Sequence, residues 1–127
     1  MAAKVRLKQL AGSYAVCRLD ARSPIPAWAD GEGFVSISRS DDELSVVCRA
    51  ERIPADVKQD QGWVCYKFIG PFAFDETGIV SSVIGPLSDA GIGIFVVSTF
   101  DGDQMLIKRT DVASAERLLD VAGHSLL

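Results

Sequence analysis

The chain has 127 residues, 48% of them hydrophobic, and a formal net charge of -4. That length suits one compact domain or two very small ones sharing a core, and the apolar content excludes a disordered chain. The 13 Lys and Arg are scattered, as Lys4, Arg6, Lys8, Arg18, Arg22, Arg39 and Arg49 show, rather than gathered into a stripe, which argues against nucleic acid as a partner.

The opening segment does not combine a basic start, a long apolar run and a small-residue cleavage site, and no apolar run approaches the roughly 20 residues that span a bilayer. The expectation is a soluble, cytoplasmic protein without a membrane partner. Cys17, Cys48 and Cys65 each lie inside an apolar run, with no Cys-x-x-Cys or Cys/His spacing. They read as buried strand thiols acting as small hydrophobes, and neither a metal site nor a cofactor is expected.

In chain order, 5–10 alternates as a short edge strand with a solvated basic face, and 14–19 is a second strand. Pro24 and Pro26 restrict 21–30 to at most one helical turn, around 27–29. Residues 34–39 and 43–49 alternate on either side of the acidic turn 40–42 and read as a hairpin. The polar stretch 58–62 marks the best internal boundary, and 63–69 opens a new strand.

The most informative stretch runs from 72 to 108. Ile79, Val80, Val83, Ile84 and Leu87 recur at helical spacing, so 77–90 reads as a helix, and Pro86 removes the hydrogen bond to the Ser82 carbonyl. Residues 92–97 read as a strand, Asp101-Gly102 as a hairpin turn, and 105–108 as the returning strand. Asp111 is placed to cap a last helix with Gly123 as its stop. His124, the single histidine, follows that stop and reads as a solvated C-terminal residue.

The two halves match each other. At an offset of 49, Tyr14, Arg18 and Leu19 fall on Trp63, Lys67 and Phe68; at an offset of 60, Ser38, Asp41, Glu43, Val46 and Val47 fall on Ser98, Asp101, Asp103, Leu106 and Ile107. A duplication with shortened connections in its first copy accounts for both.

The order strand, helix, hairpin, helix resembles the ACT domain family of ligand-sensing modules. The likeness rests on Asp75-Glu76-Thr77-Gly78-Ile79, matching the Asp-x-x-Gly turn before the first ACT helix with ThrGly for the frequent ProGly, and on Ala90-Gly91-Ile92-Gly93-Ile94. The whole chain is similar to bacterial standalone tandem-ACT proteins, and to the last module of the cytosolic arginine sensors. Residues 10–19, 25–28, 43–47, 62–63 and 100–107 carry that likeness.

The resemblance implies an α+β, ferredoxin-like βαββαβ fold: two interlocked ACT-type modules with antiparallel sheets and helices on one face. The N-terminal module would be 1–60, with truncated helices, and the C-terminal module 61–127. Only Ser125, Leu126 and Leu127 remain after His124, so strand 5–10 is expected to supply the C-terminal module's missing edge. A homodimer is expected from the resemblance alone.

The residues themselves fit a ligand site. Gly78 at a helix start lets a ligand approach backbone N–H groups that attract a carboxylate, with Thr77 and Ile79 beside it. Asp75 or Asp103 suits an ammonium or a basic side chain, and Ser98 and Thr99 supply hydroxyls at a strand end. The same residues also fit plain structure: Asp75 and Thr77 as caps, Gly78 as a turn, Asp103 as a charged strand residue. The pattern contains no nucleophile motif, phosphate loop or metal-ligand cluster, so no catalytic activity is expected. The functional expectation is a regulatory protein binding a small molecule, an amino acid; the alternative is a ligand-free interaction or dimerisation module.

Overall fold

The computed structural model describes residues 4–70, 72 and 77–127. Its elements are β1 (Arg6–Gln9), β2 (Tyr14–Leu19), β3 (Ser36–Arg39), β4 (Leu44–Arg49), β5 (Lys58–Ile69), α1 (Ile79–Asp89), β6 (Ile94–Ser98), β7 (Asp103–Lys108), α2 (Val112–Val121) and β8 (Ser125–Leu126). The fold is α+β. The chain divides into two compact units, residues 11–63 and residues 1–10 with 64–127.

In the 11–63 unit, β4 pairs antiparallel with both β2 and β3, and the first half of β5 pairs antiparallel with β2. The polar 58–62 stretch is strand: Gln59, Asp60 and Trp63 pair with Cys17, Val16 and Tyr14. A register shift between Tyr14 and Val16 leaves Gln61 and Gly62 opposite one residue of β2. Gly62, at φ +85°, absorbs this bulge in a conformation that side chains resist. Ala15, Cys17, Ala29, Val46, Cys48 and Ile53 form the core, and Trp28 packs against it.

The two prolines leave one 3-10 turn, Ala27–Ala29. Arginines tie this loop down by its carbonyls: Arg52 donates to Trp28, Ala29 and Glu32, and Arg39 to Ala21 and Ser23. Charge-assisted bonds thus order a segment without a helical ladder of its own.

In the other unit, β1 pairs antiparallel with the second half of β5, and β7 pairs with both β5 and β6. The expectation of β1 as an edge strand is overturned, because β8 pairs parallel to its other side through Arg6↔Ser125 and Leu7↔Leu126. The four residues after Gly123 are enough for this short strand. Period-2 alternation sends Val5, Leu7, Val64, Tyr66, Phe68, Met105 and Ile107 to one face, where Val83 and Leu87 of α1 and Ala115 and Leu119 of α2 meet them in a single cluster.

Both helices end in glycine caps: Ile92 N–H donates to Leu87 O across Gly91, and His124 N–H to Leu119 O across Gly123. The expected Asp111 cap is not made. A 3-10 turn, Arg109–Asp111, leads into α2 and puts Asp111 at φ -100°, ψ -3°, away from the extended backbone that a side-chain cap requires.

His124 also departs from expectation. It is 4% exposed, its Nδ1 accepts the Val5 N–H at 3.0 Å, and its Nε2 lies 2.8 Å from the Ser82 carbonyl. The glycine cap turns the chain back under α1 and β1, which buries the ring.

Candidate functional site

The 64–127 part of the chain builds a groove from two local structures. The first is the start of α1: Gly78 takes φ +79°, and a Cβ there would meet nothing within 4 Å, so the backbone faces open space. The first N–H bonded within the helix is that of Ser82, to Gly78 O at 3.0 Å, leaving the N–H groups of the preceding turn directed outward. They carry the positive end of the helix dipole.

The second is the β6–β7 turn. Ser98 and Asp103 are its closing pair, and Thr99 N–H and Oγ1–H both donate to Gly102 O, at 2.7 and 3.0 Å. The β3–β4 turn closes the same way, Ser40 N–H donating to Glu43 O. Arg39↔Leu44 then corresponds to Ser98↔Asp103, 59 positions apart, one fewer than the offset read from residue types.

These two structures enclose a groove of about 440 Å³, of small-molecule size. Gly78, Ile79, Ser98, Thr99 and Asp103 all line it. Thr77 is exposed and adjoins Gly78 without lining the groove, and Asp75 lies outside the described residues. Ser98 Oγ donates to Asp103 Oδ1, which fixes one carboxylate oxygen and leaves the other to accept a ligand donor. One end of the groove offers backbone N–H groups and the other carboxylates and hydroxyls, a polarity suited to a zwitterion.

Phe72, Val80, Ser81 and Asp101, which were not among the sequence candidates, also line the groove, and so does Phe100. Phe100 is 78% exposed at the hairpin tip. Nothing local distinguishes a groove-facing serine such as Ser81 from a solvent-facing one.

The three cysteines take no part in the groove. All are buried thiols, and burial pushes Cys65 up to about 12 and Cys17 to about 11. No helix among the described residues is long and apolar enough to cross a membrane.

Comparison with known proteins places these features in context. The ACT domain profile matches residues 58–120, and a separate N-terminal domain profile matches residues 12–56. The human protein named cytosolic arginine sensor for mTORC1 subunit 1 is 31% identical over 94 residues, covering 68% of this chain and 29% of the human protein. The bovine protein of that name gives the same values. This chain thus spans less than a third of the length of those relatives. A crystal structure of a protein from Agrobacterium tumefaciens is 64% identical, covers 99% of this chain and 94% of its own, and has a TM-score of 0.96. The aspartate kinase of Clostridium acetobutylicum shares the fold at 12% identity, with a TM-score of 0.64 over 93% of this chain and 34% of the kinase.

Proposed function

Because the chain belongs to the ACT domain family, we propose that it is a non-catalytic regulatory protein that binds a small molecule, an amino acid, in the groove between the start of α1 and the β6–β7 turn. One observation carries this reading: Gly78 with the first turn of α1, and Ser98 with Asp103, belong to different elements 20 to 25 positions apart and line the same groove. The ligand carboxylate sits against the N–H groups at the helix start, and the ammonium against Asp103 with Ser98 and Thr99. Thr77 borders the carboxylate end. The name of the curated relatives, cytosolic arginine sensors, supports an amino-acid ligand and a cytoplasmic setting.

The same reading takes the architecture as ferredoxin-like and the chain as a tandem repeat of two interlocked modules, 1–60 and 61–127, with strand 5–10 completing the second. A homodimer is its assembly. Ligand binding would act by stabilising one arrangement of α1 and the turn, to be read by a partner protein.

A thermal-shift screen of the full chain against the common amino acids tests the proposal. A ligand at 100 times its Kd adds about 2.7 kcal/mol, a shift on the order of 10 °C for a chain of this size. Silence across the whole set would end the amino-acid reading. One observation favours the interaction module instead: Phe100 stands exposed at the groove. That reading gains if Phe100→Ser abolishes self-association while the screen stays flat.

A further inference from the structure

A second recess, of about 450 Å³, adjoins the β6–β7 turn. It shares Phe72, Thr99, Asp101 and Gly102 with the groove, so the two spaces run along a common wall. Its other polar lining residues are Lys67 and Gln104. Alternation explains their presence: Phe68 and Met105 enter the helix-covered core, which turns their neighbours Lys67 and Gln104 to the opposite face.

Gln104 holds an unresolved polar group. Its Oε1 is shielded from solvent and has no hydrogen-bond partner among the described residues. A buried acceptor in that state costs free energy that an incoming N–H donor recovers. Beside it the recess presents a cation, Lys67, and an anion, Asp101, both exposed.

These three groups discriminate among ligands. A carboxylate meets Lys67 but faces Asp101 and sets a second acceptor against Gln104 Oε1. An ammonium or guanidinium satisfies Asp101 and Gln104 but faces Lys67. A neutral carboxamide meets all three, because it accepts at its oxygen and donates twice at its nitrogen.

We propose that this recess receives the uncharged, amide-bearing side-chain end of an amino acid, its N–H groups donating to Gln104 Oε1 and Asp101 and its C=O accepting from Lys67. The inference rests on the reading of the groove as the site of the amino-acid head group, and it adds the ligand's class. Since Oε1 is covered, binding includes a small side-chain shift at the recess floor.

The test is calorimetric titration of the full chain with L-glutamine, L-glutamate, L-lysine and L-norleucine. L-Glutamine is expected to bind about tenfold more tightly than each of the others, the worth of one hydrogen bond or one avoided like charge. Gln104→Met and Lys67→Met should each erase that preference while keeping the fold, and Gln104→Met should melt no lower than the parent because it removes an unpartnered acceptor. Preference for L-glutamate or L-lysine, or selectivity unchanged in both variants, overturns the inference and leaves the head-group reading standing. Absence of binding by all four, with a flat thermal screen, overturns both.

Discussion

His124 donates from Nε2 to the Ser82 carbonyl at 2.8 Å, and that carbonyl is the one Pro86 leaves without a donor inside α1. Nδ1 accepts the Val5 N–H, so the proton sits on Nε2, and one ring serves two backbone groups that would otherwise be buried unpaired. The histidine thus repairs the helix at its proline and fastens it to β1. Replacing it by Leu orphans both groups and should cost about 2–4 kcal/mol in urea unfolding. Pro86→Ala restores an N–H to Ser82 O, so the same substitution in that background should cost about 1 kcal/mol less. Strict additivity of the two changes would show that the repair is not made.

This relationship also marks where sequence reading stopped. The proline's effect on Ser82 was legible from the four-residue spacing, as were the helix around Val83 and Leu87 and the turn at Asp101-Gly102, because local periodicity and turn chemistry determine them. The identity of the donor was not, since His124 lies 42 positions away and reaches Ser82 only after the Gly123 cap turns the chain. The strand character of 58–62 was hidden for a similar reason: a polar run pairs with β2 only if a glycine absorbs the bulge. Gly78, Ser98 and Asp103 were singled out by residue type and family resemblance, but their shared groove with Phe100 depends on how α1 packs on the sheet, which no local pattern encodes.

Gly62 provides a backbone test. It holds φ +85° within β5, and a Cβ there would touch nothing within 4 Å, so any cost of substitution comes from conformation rather than crowding. Gly62→Ala should lose about 1–2 kcal/mol, and Gly62→Asn less, because Asn tolerates the left-handed region better. Equal losses for Ala and Asn would point to something other than the bulge.

The buried thiols set the alkaline limit of stability. Cys65 ionises near 9.0 when unfolded, and burial raises it to about 12 in the fold. Between these values the folded chain keeps a proton that the unfolded chain has released, so stability is full below pH 9.0 and falls as pH rises towards 12. One retained proton gives a slope of about 1.4 kcal/mol per pH unit. Cys17, raised to about 11, and Tyr66, raised by burial and then by its 2.8 Å bond to Glu116, act in the same direction. Urea midpoints at pH 8 and pH 10.5 should therefore separate, and Cys65→Ala should bring them closer. Coincident midpoints in the parent would rule the mechanism out.

The groove is tested at Asp103, whose carboxylate is held by Ser98 Oγ–H and lines the same space as Gly78. Asp103→Asn keeps the size and, with its amide oxygen turned towards Ser98, the hydrogen bond, so folding stability should change by less than about 0.5 kcal/mol. The ammonium of a bound amino acid would lose its counter-charge, and a charge-assisted bond is worth about 1.5–3 kcal/mol, so affinity should fall on the order of 10- to 100-fold. Gly78→Val acts at the other end: it introduces side-chain bulk into the open approach to the helix start and strains the left-handed backbone, so it should weaken ligand carboxylate binding and cost about 1–2 kcal/mol of stability. Asp103→Asn is the cleaner variant because it separates binding from folding. Unchanged affinity in calorimetry, with the amino acid that gives the largest thermal shift, would remove Asp103 from the site and move the ammonium elsewhere in the groove.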